Sequence, residues 1–104
     1  MHIVLIGAGI GGLTAALAAP KSTRVTLLEQ APALTEIGAG LQLSPNATRI
    51  LERLGLLESV AALAVEPEAA EVREAASGRL LLRQPLGAEA RARWGAPYLH
   101  VHRA

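Results

Sequence analysis

The chain has no cysteine and no phenylalanine, and Trp94 and Tyr98 are its only aromatic residues. Without thiols there can be no disulfide, thiolate metal site or thiol catalysis. With so few aromatics, little is left to wall a pocket around a planar ring. Charge is sparse and scattered. The net charge is +1 and no basic run marks a nucleic-acid surface. Of the three histidines, His100 and His102 alternate along a predicted strand with no carboxylate nearby, so no metal site is predicted. Long hydrophobic runs are missing too. Residues 1–20 are apolar and end in Ala-Leu-Ala-Ala-Pro, which imitates a signal-peptide cleavage site. No Lys or Arg precedes that run, however, and glycines at 7, 9, 11 and 12 interrupt it. The same glycines argue against a bilayer span, and the sequence reads as that of a cytoplasmic protein with neither a membrane nor a nucleic-acid partner.

What remains is a chain of 104 residues, 51% hydrophobic, rich in Ala, Leu, Val and Ile. That is enough for one small domain with a core, and too apolar for disorder. His2 to Ile6 is a short apolar run ending at Gly7 and predicts a buried strand. Gly11 to Ala19 predicts a helix of small residues, with Leu13 and Leu17 one turn apart. Pro20 stops it by removing a backbone donor. Arg24 to Leu28 predicts a second strand closed by Glu29. Together these make a parallel β-α-β unit.

Gln30 to Leu43 reads as a long loop. Ser44 then caps a helix with Pro45 in its first turn, Ile50, Leu51 and Leu54 as its apolar face, and Gly55 at its end. Leu57 to Ala64 predicts a second helical stretch. Ala70 to Arg83 predicts a hairpin turning at Ser77-Gly78. Gly87 to Trp94 reads as a loop or short helix, and Tyr98 to Val101 as a strand.

The most informative feature is Gly7-Ala8-Gly9-Ile10-Gly11-Gly12. It fits G-x-G-x-x-G with glycines at 7, 9 and 12, set after a strand and at the start of a helix. Gly7 permits a tight turn, Gly9 lets the backbone approach a pyrophosphate, and Gly12 lets the helix lie close to the sheet. The pyrophosphate would sit over free N–H groups at the positive end of the helix dipole. Glu29, at the end of the second strand, offers its carboxylate to ribose hydroxyls and disfavours a 2′-phosphate. These features leave NAD and FAD both open.

A resemblance narrows the choice. The run Val4-Leu-Ile-Gly-Ala-Gly-Ile-Gly-Gly-Leu-Thr-Ala-Ala-Leu resembles the opening of FAD-dependent aromatic-ring hydroxylases of the salicylate and hydroxybenzoate monooxygenase type. The run Glu36-Ile-Gly-Ala-Gly-Leu-Gln-Leu-Ser-Pro-Asn-Ala-Thr-Arg-Ile-Leu resembles a second block of that family, and Gly95-Ala-Pro-Tyr with Val101-His-Arg-Ala a third. The resemblance covers nearly the whole chain. It implies an α/β fold: the N-terminal part of a Rossmann-like βαβ FAD-binding domain over residues 1–104, with an incomplete parallel sheet and a β-hairpin insertion. It implies FAD as cofactor, NADH or NADPH as reductant, and an aromatic substrate such as a hydroxybenzoate.

Carried over residue by residue, Gly7, Ala8, Gly9, Ile10, Gly11 and Gly12 hold the diphosphate, and Glu29 and Gln30 lie on the adenosine side. Gly38, Ala39 and Gly40 pass near the flavin, Arg103 contacts the cofactor, and Gln42 faces the substrate side. Arg49 and Arg53 read as surface charge. The resemblance assigns no catalytic acid or base here. Two departures stand out. The Ala19–Thr23 segment is about one residue shorter than the family spacing, and the later Asp-Gly and Gly-Asp motifs and most of the substrate-binding sheet do not occur. The expectation is an FAD-binding fragment that is inactive alone and prone to self-association through its unpaired sheet edge. The rival readings are a non-catalytic nucleotide-binding module and a piece of an NAD-dependent dehydrogenase.

Overall fold

A computed structural model describes residues 1–34 and 40–102. The chain divides into two units, Met1–Glu36 and Ile37–Ala104.

The first unit is the expected β-α-β. Strands β1 (His2–Ile6) and β2 (Arg24–Leu28) flank helix α1 (Ile10–Ala18) in sequence. The strands pair in parallel, His2 opposite Arg24 through to Ile6 opposite Leu28. The amide of Gly7 donates to the carbonyl of Leu28 at 2.7 Å, so the ladder runs one residue past β1 into the turn. Helix α1 begins one residue earlier than its sequence pattern predicts, and ends where Ala19 turns extended before Pro20.

The reading of β1 as a buried strand is corrected. Ile3 and Leu5 are half-buried, whereas Val4 and Ile6 are exposed, Ile6 at 88%. Side chains of a strand alternate between faces, so one helix on a two-stranded sheet shelters only every second residue.

The second unit is built around a three-stranded antiparallel sheet of order β3 (Leu41–Leu43), β7 (Leu99–Val101), β4 (Ala64–Val65). Leu41 pairs with Val101 and Leu43 with Leu99 on one side of β7, and Ala64 pairs with Val101 on the other. Two sequence readings change here. The loop predicted to run to Leu43 contains a strand in its last three residues. The second helical stretch is α3 (Leu57–Ala61), and Ala64 belongs to a strand instead. Both strands are too short to show a period. They exist because β7 offers both of its edges.

Helix α2 (Pro45–Arg53) begins at Ser44, with Pro45 in its first turn. The Ser44 hydroxyl does not cap a backbone amide as expected; it donates to Oδ1 of Asn46. The predicted apolar face holds in part, since Leu51 and Leu54 are half-buried. Ile50 is 44% exposed, and the buried residues of α2 are Pro45 and Thr48. Thr48, fully buried, donates its hydroxyl to the Pro97 carbonyl at 2.7 Å, and the Arg49 guanidinium donates to the Trp94 carbonyl. Adjacent residues of α2 thus hold both ends of the Trp94–Pro97 segment. Between them Gly95 closes α4 (Ala88–Trp94) in the left-handed conformation. The core nearby consists of Leu86, Ala90, Ala96 and Leu99.

The predicted hairpin is present as β5 (Ala69–Arg73) and β6 (Leu80–Pro85), with Glu71 opposite Arg83 and Val72 opposite Leu82. The Gly78 amide donates to the Glu74 carbonyl at 2.8 Å, which closes the turn. Glu71 pairs with Arg73 at 2.8 Å and Arg83 at 3.3 Å. Residues 88–94, left open between loop and helix, are helical. The architecture is therefore mixed α/β: a parallel β-α-β unit and a separate unit with antiparallel sheet and hairpin. No helix among the described residues is long and apolar enough to cross a membrane.

Candidate functional site

The first unit brings its sequence-predicted residues together at the C-terminal ends of β1 and β2. Gly7 turns the chain out of β1 with φ of +97°, a conformation a side chain would strain. Gly9 is the residue preceding α1 and is extended. The amides of Gly9, Ile10, Gly11 and Gly12 have no hydrogen-bond partner among the described residues, as the start of a helix requires. They form a cluster of donors at the positive end of the helix dipole.

The glycines have separable tasks. A Cβ on Gly12 would lie 1.9 Å from the Gly7 carbonyl oxygen and 3.4 Å from Cδ1 of Leu27 in β2, so only glycine lets α1 approach the turn and the sheet this closely. A Cβ on Gly9 would meet nothing within 4 Å. Its missing side chain leaves open space instead of serving the packing of the chain itself.

Glu29 reaches back over this turn. Its Oε2 accepts a hydrogen bond from the Ala8 amide at 2.7 Å, and Oε1 accepts one from the Ala31 amide at 2.8 Å. The Ala31 amide, seconded by that of Ala8, holds the carboxyl below the usual carboxylate range. Each oxygen keeps a further lone pair for an outside donor. Beside it lies a cavity of about 480 Å³ lined by Ile6, Gly7, Leu28, Glu29 and Gln30. One place therefore combines amide donors for an anion, an ionised acceptor for hydroxyls, and the apolar side chains of Ile6 and Leu28 against which a flat ring could lie.

In the second unit, Gln42 is exposed in the middle of β3 and its Oε1 accepts a hydrogen bond from the Tyr98 hydroxyl at 3.2 Å. The Tyr98 ring meets His100, the register partner of Gln42, edge-on with centroids 5.6 Å apart. Sequence reasoning missed this cluster because 56 residues separate Gln42 from Tyr98. Gly40 lies just before β3, where a Cβ would make an ordinary 3.5 Å contact with the Val101 carbonyl. Gly38, Ala39 and Arg103 lie outside the described residues. Arg49 and Arg53 are exposed, as expected of surface charge, but Arg49 also secures the end of α4. The Ala8 and Ala31 amides that receive Glu29 carry no sequence signal beyond their closeness to the motif.

No family model matches the chain. Among curated proteins it is 45% identical, over its full length, to a 3-amino-4-hydroxybenzoate 2-monooxygenase of Streptomyces cremeus, covering 27% of that protein. It is 43% identical over 99% of its length to a 3-hydroxybenzoate 6-hydroxylase of Polaromonas naphthalenivorans, covering 26% of it. Among solved structures, Klebsiella pneumoniae HpxO complexed with FAD and uric acid matches 99% of this chain with a TM-score of 0.80 and 30% identity, covering 26% of that chain. The chain thus spans about a quarter of the length of the relatives it matches.

Proposed function

From a chain that matches the N-terminal part of FAD-dependent aromatic hydroxylases, we propose that its first unit holds the adenosine diphosphate portion of FAD in a monooxygenase acting on an aromatic substrate such as a hydroxybenzoate. The observation that carries this is the contact of Glu29 with the Ala8 amide, which sets the acid at the edge of the glycine turn. The amides of Gly9 to Gly12 would bind the diphosphate, with the open side of Gly9 allowing close approach. The Glu29 carboxylate would accept hydrogen bonds from the ribose, and Gln30 with the walls of Ile6 and Leu28 would border the adenosine. A 2′-phosphate would be repelled by Glu29.

When bound, FAD would supply the redox chemistry, taking electrons from NADH or NADPH and passing one oxygen atom of O₂ to the ring. What these residues contribute is binding and orientation. Gly38, Ala39, Gly40 and Arg103 are proposed for contact with the cofactor and Gln42 for the substrate side, on family likeness.

The test is titration of the purified chain with FAD, ADP and NAD, followed by flavin fluorescence and calorimetry. Saturable binding of FAD and ADP, with NAD weaker than FAD, supports the proposal. ADP binding with no gain from the flavin half would favour a plain nucleotide-binding module. Tighter NAD than FAD binding would favour a dehydrogenase fragment.

A further inference from the structure

Glu29 has two neighbours that a sugar-binding role alone does not explain. One is the Ala8 amide, which lies inside the glycine turn, and the other is the Ala31 amide, just beyond β2. Ala8 is the most sheltered residue of the turn, 8% exposed, while Gly9, Ile10 and Gly11 around it are exposed. Its amide points to a carboxylate rather than to the space where an anion would bind. Each oxygen of the carboxylate takes one of these amides, so the group is fixed at both ends.

We propose that Glu29 is a positioning residue for the diphosphate as well as a sugar ligand: by holding the Ala8 amide it fixes the shape of the glycine turn, and so governs phosphate binding without touching phosphate. The inference rests on the reading of the turn as a diphosphate site. Gly7 is the first fixed point of the turn. Its φ of +97° and its bond to Leu28 anchor the turn on the β1 side, and α1 anchors it from Gly9 onward through the bond from the Leu13 amide to the Gly9 carbonyl. Between those anchors the Ala8 peptide has one polar tie from its amide, and Glu29 supplies it. Released from the carboxylate, the peptide joining Gly7 to Ala8 can rotate. The Gly9 amide, carried by the next peptide, then loses the direction it shares with the amides of α1.

The sign of the effect separates this from simpler roles. An anion beside a phosphate site repels phosphate, so a carboxylate acting through charge alone should weaken pyrophosphate binding, and its removal should tighten it. A carboxylate that touches only the sugar should leave pyrophosphate unaffected. A carboxylate that shapes the turn should make pyrophosphate bind worse when it is removed.

The experiment uses the full chain, with Glu29→Ala and Glu29→Gln, and inorganic pyrophosphate and ADP as probes measured by calorimetry. Pyrophosphate affinity is expected to fall roughly tenfold or more in Glu29→Ala, the scale of one hydrogen bond to a charged acceptor. Glu29→Gln, which keeps one acceptor oxygen, should lie between. Unchanged or tighter pyrophosphate binding in both variants overturns the proposal. Amide exchange without ligand gives a second readout: Ala8 should exchange faster in Glu29→Ala while Leu5 and Thr26, bonded inside the β1–β2 ladder, stay protected. An Ala8 amide equally protected in wild type and variant also overturns it. If the wild-type chain binds neither ADP nor pyrophosphate, the diphosphate reading fails, and the exchange of Ala8 still decides whether Glu29 shapes the turn.

Discussion

Replacing Gly12 by alanine adds a single methyl group, and the structure fixes where it must go. The new Cβ would sit 1.9 Å from the Gly7 carbonyl oxygen, more than an ångström inside the 3.0 Å that real Cβ atoms respect. The obstacle is backbone, so no side chain can swing aside. Either α1 lifts away from Leu27, or the Gly7 carbonyl rotates and, with the Ala8 amide of the same peptide, strains the bond to Glu29. Overpacking of this kind costs about 1–3 kcal/mol, and the upper end applies where backbone must move. Alanine returns at most about 1 kcal/mol through helix propensity. The net expectation is a loss of about 2 kcal/mol from the first unit. Gly11→Ala is the internal control, since its Cβ meets nothing within 4 Å; it should be neutral or slightly stabilising. The single tryptophan, Trp94, belongs to the second unit. The assay is therefore urea unfolding followed by residue-resolved amide exchange in β1 and β2, with Trp94 fluorescence reporting separately. If Gly12→Ala and Gly11→Ala unfold alike, the close approach of helix and turn is wrong.

Other expectations follow from single contacts. Thr48→Val keeps shape but removes the donor to the Pro97 carbonyl, leaving it unsatisfied in the core. Trp94-monitored urea unfolding should show a loss of about 1–3 kcal/mol. Arg91 pairs with Glu66 at 2.7 Å on the surface, where its guanidinium draws the Glu66 carboxyl below its usual range. Because both groups are solvated, Arg91→Ala should cost under about 1 kcal/mol, less at high salt, in the same unfolding assay. Glu29, held below the usual range by Ala31 and Ala8, adds stability that is complete above its unfolded value of about 4.3 and is lost as pH falls through its lower folded value. Exchange protection of the Ala8 amide, corrected for intrinsic rates, should accordingly hold from neutral pH down to that point and fail only below it.

What the sequence makes legible and what it hides divide along physical lines. Strands β1 and β2 appear at their observed bounds because each is an apolar run cut by glycine, or by a charged residue. The glycine turn and Glu29 are legible for the same reason: their spacing is local and each residue type has one physical use there. The hairpin is legible because Ser77-Gly78 interrupts two extended runs. Strands β3 and β4 are hidden, since two or three residues carry no period and their partner β7 lies far along the chain. Thr48 is hidden because hydropathy ranks it below Ile50, yet a hydroxyl with a carbonyl to meet can be buried while an isoleucine beside it faces out. The partnership of Gln42 and Tyr98 depends on the same long-range pairing.

The most direct test of the diphosphate site is an ADP titration of the isotopically labelled chain, read amide by amide. Binding at the turn predicts saturable shifts concentrated at Gly9, Ile10, Gly11, Gly12 and Glu29, and their loss in Gly9→Ala, whose methyl fills the open space without disturbing the fold. Saturable ADP binding that leaves those amides unmoved, or that Gly9→Ala does not weaken, would contradict it.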